Sequence, residues 1–292
     1  MRPMPIPTRA AALILIVIGA ARCPASDVVF ATDIEFSNPD GQHLKLNLAR
    51  PGSGPGPFPA VLCIHGGGFR AGDRKVYDSL CRQLAGRGYV AATVDYRLAP
   101  KSPFPAAVHD VKAAVRWLRA HASEYQIDPD RIGVTGGSAG GHLAQFLGVT
   151  AGRPEFEGDG GNAGQASRDA CVVNFYGPSD LTRSYGKSVD AAEVLPLFLG
   201  GDLEHARPRH IVASPLSWAT PDSAPTLCVH GTKDPYVAFE QATWIIDRLK
   251  AVGVEAELLS LEGAGHGFKG EDARRAEGAM VAFLDRLLKA KR

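Results

Sequence analysis

The sequence predicts an α/β fold: a mostly parallel central sheet of about eight strands, with an antiparallel hairpin at one edge and helices on both faces. From residue 60 onward, short apolar runs alternate with longer segments in which apolar residues recur at helical spacing. Before that point, alternating runs at residues 28–36 and 43–49 flank an Asn-Pro-Asp-Gly turn, which is typical of a β-hairpin. A length of 292 residues, of which 45% are hydrophobic, suits one domain of this kind.

The individual elements follow from the same two periodicities. Strands are predicted at residues 60–64, 89–94, 131–135, 171–175, 226–229 and 255–261. Helices are predicted at residues 76–84, 106–121, 139–149, 239–251 and 274–288. Residues 177–222 are dotted with prolines and show little periodicity beyond a short helix near residues 191–199, so we interpret them as a lid-like insertion. We assign residues 26–292 to a single domain.

The N-terminal residues 1–25 predict a signal peptide. Arg2 and Arg9 precede an unbroken apolar run of 12 residues at positions 10–21, which is too short to span a bilayer. We therefore expect an exported protein, periplasmic or extracellular, whose mature chain has no membrane span. A lipid-modified Cys23 is the alternative, and it is disfavoured because Arg22 comes directly before it.

Charge and cysteine content exclude several classes of function. The net charge is +1 and the cationic residues are spread along the chain, so we do not expect a nucleic-acid partner. The five cysteines form no C-x-x-C pair and no Cys/His spacing of a metal site, and we expect neither a metal nor a cofactor. The sequence does not decide whether Cys171 and Cys228 form a disulfide, which would be possible if their strands are neighbours. The sequence also leaves the oligomeric state open.

The segment that predicts chemistry lies at a strand-to-helix junction. Gly136, Ser138 and Gly140 form G-x-S-x-G between the strand at residues 131–135 and the following helix. So sharp a turn strains the corner residue, and it requires glycine where a side chain would collide with the packed turn. Ser138 is the candidate nucleophile, and the amide of Ala139 at the helix start is a candidate donor to an oxyanion. The alternative is a glycine-rich turn with a solvent-exposed serine.

Three further strand ends carry complementary groups. The run H-G-G-G at residues 65–68 predicts an oxyanion loop, with the amides of Gly66 and Gly67 as donors. Asp234 follows the strand at residues 226–229, and His266 follows the strand at residues 255–261. Because carboxyl ends of parallel strands meet at one sheet edge, we expect Ser138 as nucleophile, His266 as base and Asp234 as its orienting acid. Asp180 is the competing candidate for the acid.

Together these motifs resemble those of the α/β-hydrolase superfamily, near the hormone-sensitive-lipase-like esterases and the acetyl-xylan and feruloyl esterase-like (BD-FAE-like) proteins. The chain order Ser, Asp, His is also that of α/β-hydrolases. The resemblance extends from about residue 28 to the C-terminus. The matching segments are H-G-G-G-F at residues 65–69, D-Y-R-L-A-P at 95–100, F-P-A-A at 104–107, G-G-S-A-G-G at 136–141, H-G-T-K-D at 230–234 and G-H-G-F at 265–268.

The resemblance implies a serine carboxylic-ester hydrolase on the α/β-hydrolase fold. One departure is Gly137, since the lipase-like group commonly has Asp or Thr directly before its nucleophile. Another is the missing N-terminal helical cap, because the predicted signal runs almost directly into the first strand. We therefore expect an open cleft that favours short acyl groups on bulky alcohols, with small esters or esterified plant polysaccharide as substrate. Phe69 and Tyr96 are candidate contacts for a sugar ring.

Two other functions are compatible with the same fold. A serine peptidase of the prolyl-oligopeptidase type usually carries H-G-G-P in place of H-G-G-G, together with an extra propeller domain. A non-catalytic binding protein would be expected to have lost a member of the catalytic set, whereas Ser138, Asp234 and His266 are all present.

Overall fold

A computed structural model describes residues 27–289, so the predicted signal peptide and Cys23 lie outside the described residues. Within this range eight strands form one sheet, in the order β1-β2-β4-β3-β5-β6-β7-β8. They are β1 (Val28–Ser37), β2 (Leu44–Pro51), β3 (Phe58–Ile64), β4 (Val90–Val94), β5 (Ile127–Gly137), β6 (Cys171–Phe175), β7 (Thr226–Gly231) and β8 (Ala256–Leu261). The helices are α1 (Asp78–Gly86), α2 (Ala106–Ala120), α3 (Ala122–Tyr125), α4 (Ala139–Val149), α5 (Ala191–Leu199), α6 (Arg207–Val212), α7 (Glu240–Ala251) and α8 (Gly270–Leu284).

Strand pairing confirms the predicted architecture. Strand β2 runs antiparallel to both β1 and β4, and the remaining neighbours are parallel. In the centre of the sheet Ile64 pairs with Gly136, and Gly137 pairs with Phe175. The carboxyl ends of β3, β5, β6 and β7 therefore lie side by side at one edge, which is where open α/β sheets place their ligands.

Both faces of the sheet are buried. On one face Leu62 and Val134 pack with α2 and α4, and on the other Val61 and Val173 pack with α1 and α8. Burying such side chains stabilises the fold by about 1.5–3 kcal/mol each, so the sheet edge that carries the site is held by a rigid scaffold. This double coverage explains why β3 and β4 read as continuous apolar runs.

The structure closes the question of the disulfide. Cys171 and Cys228 are both free and buried. They lie on neighbouring strands, but Cys228 pairs with Asn174, three residues from Cys171, so the two side chains point to opposite faces of the sheet. A bond between them would require a different strand register.

Several elements differ from the prediction, among them helix α6 and the last helix. Helix α6, six residues long and with a proline near its start, lies in the segment predicted to be irregular. The last helix begins at Gly270, four residues earlier than predicted, and continues as a π-helical turn at Asp285–Lys289. Of the helices between residues 27 and 289, none combines the length and apolar character that crossing a bilayer requires.

Candidate active site

Ser138 occupies the corner between β5 and α4 in a strained backbone conformation. Its φ is 57° and its ψ is −122°, a region that non-glycine residues rarely adopt. Two hydrogen bonds hold the corner: the Ser138 amide donates to the Phe175 carbonyl, and the His142 amide donates to the Ser138 carbonyl, both at 2.9 Å. The strain is therefore sustained by β6 on one side and the first turn of α4 on the other.

The glycines around Ser138 are required by the closeness of the neighbouring backbone. A Cβ at Gly136 would lie 2.5 Å from the Gly140 carbonyl and 2.6 Å from the Ile64 carbonyl oxygen. A Cβ at Gly140 would collide with that same Ile64 oxygen. The G-x-S-x-G spacing is thus required because the end of β3 and the start of α4 approach each other too closely for side chains at residues 136 and 140.

His266 and Asp234 form the second part of the site. The His266 ring donates from Nδ1 to Oδ2 of Asp234 at 2.7 Å. The other carboxylate oxygen, Oδ1, accepts the amides of Tyr236 and Val237 at 2.8 and 2.9 Å. This bonding leaves Nε2 of His266 on the far side of the ring, which is the nitrogen that a general base would use.

The environment of Asp234 keeps its carboxylate ionised. Burial by itself would raise the pKa of Asp234, but hydrogen bonds from His230, His266 and the Val237 amide lower the pKa well below its usual value. A carboxylate that remains charged can fix the imidazole tautomer and stabilise an imidazolium.

Asp180, the competing acid, is engaged elsewhere. Its Oδ1 accepts hydrogen bonds from the amide and the hydroxyl of Thr182 at 2.9 and 2.6 Å. Its Oδ2 is paired with Arg183 at 3.1 Å. The structure therefore places Asp234 against His266, while Asp180 caps a short 3-10 turn.

A cavity of about 620 Å³ joins these groups. Ser138, His266, Gly66, Gly67 and Ala139 all line it. Within the described chain no hydrogen bond links the Ser138 hydroxyl to the His266 ring, and such catalytic contacts often tighten only when substrate binds.

The loop after β3 lines the cavity with Gly66, Gly67 and Gly68. Gly67 has a φ of 114°, and a Cβ there would collide with the Ala71 carbonyl. Its own carbonyl accepts the amides of Arg70 and Ala71 at 3.1 and 3.0 Å, which folds the loop back on itself. The loop is also tied to His65, whose Nδ1 donates to the Gly66 carbonyl at 2.7 Å. Gly66 and Gly67, the predicted oxyanion donors, thus belong to a tightly folded loop and line the cavity together with Ala139.

Phe69 and Tyr96 do not present free ring faces to the cavity. Phe69 lines the cavity but is only 3% exposed, and its ring stacks on Phe198 with centroids 3.8 Å apart. Tyr96 lies outside the cavity lining, stacks on His65 at 4.3 Å and donates its hydroxyl to the His65 carbonyl at 3.0 Å. The structure therefore does not support Tyr96 as a sugar contact, and both rings brace the loop after β3.

The insertion at residues 177–222 supplies one wall of the cavity. Helix α5 contributes Ala191, Val194 and Leu195 to the lining. At the rim, Val76 and Tyr236 also line the cavity while remaining 66% and 46% exposed. The cavity is therefore apolar along α5 and open to solvent at its mouth.

Three residues near the site were not identified from the sequence. His230 donates to the Val237 carbonyl at 2.8 Å and lies 3.5 Å from Oδ2 of Asp234, so it helps to fix the acid loop. Tyr77 and Tyr176 line the cavity beside the nucleophile turn. His230 belongs to the H-G-T-K-D segment, so the motif could have indicated it from the sequence. The two tyrosines belong to no short motif.

Comparison with known proteins adds a family and several relatives. Residues 46–249 match the sequence profile of the BD-FAE family. The chain is similar to esterase LipC of Mycobacterium tuberculosis, with 33% identity over 240 residues that cover 79% of this chain and 59% of LipC. It is also similar to the probable carboxylic ester hydrolase LipM of that organism, with 34% identity over 70% of this chain and 48% of LipM. The chain thus spans about half the length of the curated relatives it matches.

Solved structures with the same fold cover nearly the whole chain. A truncated carbohydrate esterase from gut microbiota matches with a TM-score of 0.79 and 25% identity, over 91% of this chain and 98% of that one. The esterase Est2 of Thermogutta terrifontis matches with a TM-score of 0.74 and 29% identity, over 92% of this chain and 95% of that one. A butyrate-bound structure of Est2 gives the same TM-score. These likenesses confirm the predicted α/β-hydrolase fold.

Proposed function

Because the chain belongs to the BD-FAE family, we propose that it is a serine carboxylic-ester hydrolase that cleaves short-chain acyl esters through an acyl-enzyme intermediate. The observation that carries the proposal is the cavity itself. It combines a strained serine at the end of β5, a histidine held by an ionised aspartate and a glycine loop with backbone amides. That combination is what acyl transfer to a serine requires.

The proposed reaction uses the residues in two stages. Ser138 Oγ attacks the ester carbonyl while Nε2 of His266 takes its proton, and Asp234 stabilises the imidazolium. The amides of Gly66, Gly67 and Ala139 stabilise the oxyanion of the tetrahedral intermediate. His266 then gives the proton to the leaving alcohol, and the acyl group stays on Ser138. Water repeats the sequence on the acyl-enzyme, releases the carboxylic acid and restores the serine.

The shape of the cavity supports a preference for short acyl groups. A site that buries the full length of a fatty acyl chain gains about 0.8 kcal/mol for each buried methylene. Here helix α5 supplies one apolar wall, and the exposed residues Val76 and Tyr236 form part of the mouth. We therefore expect acetate or butyrate esters to react best.

The natural substrate that we propose is an acetylated or hydroxycinnamoylated plant polysaccharide. Likeness to a carbohydrate esterase of gut microbiota supports it, and the open mouth leaves room for a bulky, solvated alcohol. An exported enzyme, as the N-terminal segment predicts, would meet such a polymer outside the cell.

The experiment that tests this function compares acyl chains and alcohols with one preparation. We expect kcat/KM for p-nitrophenyl esters to be greatest for acetate or butyrate and to fall at octanoate and palmitate. We also expect acetate release from acetylated xylan. A maximum at octanoate or beyond would reject the short-chain proposal. Faster cleavage of matched amides than of esters would favour the peptidase alternative.

A further inference from the structure

Two tyrosine hydroxyls converge on the residue that precedes the nucleophile. A Cβ placed on Gly137 would lie 3.1 Å from the hydroxyl oxygen of Tyr77 and 3.1 Å from that of Tyr176. Tyr77 comes from the turn before α1, and Tyr176 directly follows β6, so distant parts of the chain bring the pair together. Because residue 137 is a glycine, both hydroxyls can approach the backbone closely at a point where a Cβ would be tightly packed.

The position of the pair identifies which part of the substrate it can reach. In acyl transfer the histidine gives its proton to the leaving alcohol, so the alcohol must lie on the histidine side of the serine. The Tyr176 ring packs against the His266 ring, with centroids 4.7 Å apart, and against Phe268 at 5.1 Å. Both tyrosines and His266 line the same cavity. The Tyr176 ring therefore lies on the alcohol side, and the Tyr77 hydroxyl meets the Tyr176 hydroxyl beside Gly137.

The hydroxyls are held in place and retain hydrogen-bonding capacity. Burial raises the pKa of both tyrosines, so each keeps its proton at neutral pH. Among the side chains of residues 27–289 neither hydroxyl has a hydrogen-bond partner, and the Tyr77 hydroxyl has a hydrogen bond with the backbone of Gly137. Tyr176 also has a φ of 42°, and its amide donates a hydrogen bond to the Val229 carbonyl at 2.9 Å. Strained residues of this kind cluster at ligand sites.

We propose that Tyr77 and Tyr176 bind a free hydroxyl of the leaving alcohol, on the carbon next to the ester oxygen. A phenol can donate one hydrogen bond and accept another, so two phenols satisfy both the oxygen and the proton of one hydroxyl. The chemical class recognised is a monoester of a vicinal diol, the arrangement that a partly acylated sugar ring presents. The inference rests on the proposed esterase function and specifies its alcohol.

The test uses two esters that differ by one hydroxyl: cyclohexyl acetate and trans-2-hydroxycyclohexyl acetate. The readout is the ratio of kcat/KM for the hydroxylated ester to that for the plain ester. We expect this ratio to be well above one for the wild type. It should fall about three- to tenfold in Tyr77→Phe and in Tyr176→Phe, because each variant removes one hydrogen bond and keeps the ring. Tyr125→Phe is the matched control, since Tyr125 does not line the cavity, and its ratio should equal that of the wild type.

The possible results distinguish a failure of the tyrosine assignment from a failure of the proposed esterase function. The inference is overturned if the wild type hydrolyses both esters with equal kcat/KM. It is also overturned if the tyrosine variants lose activity equally on both esters, because the tyrosine hydroxyls would then not bind the free hydroxyl of the alcohol. If the wild type hydrolyses neither ester nor p-nitrophenyl acetate, the proposed esterase function itself fails, and the inference fails with it.

Discussion

The ring of His266 lies 2.7 Å from the carboxylate of Asp234, although 32 residues separate them in the chain. The contact is formed because β7 and β8 are adjacent and parallel, so the loops that follow them leave the sheet at the same edge. The Asp234 carboxylate receives two backbone amides and two histidine contacts, which hold it in one orientation. The hydrogen bonds from the two histidines and from the Val237 amide lower its pKa. Asp234 should therefore control the orientation of the His266 ring.

Replacing Asp234 should disable the site without unfolding it. We expect Asp234→Asn to lower kcat by roughly four orders of magnitude, because the amide favours the wrong imidazole tautomer. Asp180→Asn is the matched control and should change kcat little, since Asp180 caps a turn away from His266. Steady-state kinetics on p-nitrophenyl acetate measure both. A larger loss in the Asp180 variant would assign the acid to the loop after β6.

Gly67 should be sensitive to a single methyl group. In Gly67→Ala the new Cβ collides with the Ala71 carbonyl and moves the amides of the oxyanion loop. We expect kcat to fall by about a hundredfold or more, with little change in KM, because the oxyanion forms only in the transition state.

Gly88→Ala provides the matched control for backbone strain. Gly88 also has a positive φ, 88°, but a Cβ there would meet no atom within 4 Å. The Gly88→Ala variant should be less stable than the wild type and have an unchanged kcat. If Gly67→Ala raised KM and left kcat unchanged, the loop would serve substrate binding and not the oxyanion.

Asp169, a buried carboxyl outside the cavity lining, should make stability depend on pH. Both oxygens of Asp169 are buried and have no hydrogen-bond partner among residues 27–289. Burial raises the pKa of Asp169 to about 7, whereas an unfolded aspartate titrates near pH 3.9. Between these values the folded state holds a proton that the unfolded state has lost. The Asp169 contribution should therefore lower the free energy of unfolding as pH rises, by at most about 1.4 kcal/mol per pH unit.

Asp169→Asn tests this contribution directly. The variant should gain stability relative to the wild type as pH rises from 4 to 7, as measured by denaturant unfolding across that range. Asp159→Asn is the control, because the Asp159 side chain is exposed in the same region of the chain. A constant stability difference between Asp169→Asn and the wild type at all pH values would show that Asp169 stays ionised in the folded protein.

The sequence predicted the parts of the molecule that depend on local pattern. Strand β6 and helix α5 occur with the predicted bounds, and the G-x-S-x-G turn lies where the periodicity changes from strand to helix. Glycine spacing carried this information because each glycine marks a backbone approach that excludes a Cβ. The three strand-end motifs could be assigned to one edge of the sheet because the carboxyl ends of parallel strands meet there.

Features that depend on strand register or on converging side chains could not be predicted. Cys171 and Cys228 lie on adjacent strands as supposed, yet the register turns them to opposite faces. Tyr77 and Tyr176 are 99 residues apart and meet only through the packing around Gly137. Helix α6 was missed because six residues that include a proline give almost no periodic signal.

The central claim is that Ser138 is the nucleophile, and labelling with a p-nitrophenyl organophosphonate tests it most directly. Attack by Ser138 Oγ would form an O–P bond, release p-nitrophenolate and pass the serine proton to His266. We predict about one equivalent of p-nitrophenolate per chain and a mass-spectrometric adduct on the Ser138 peptide. Ser138→Ala should take up no label and lose about a millionfold in kcat while keeping its fold. An adduct on another residue, or a Ser138→Ala variant that keeps more than a few per cent of wild-type turnover, would contradict the claim.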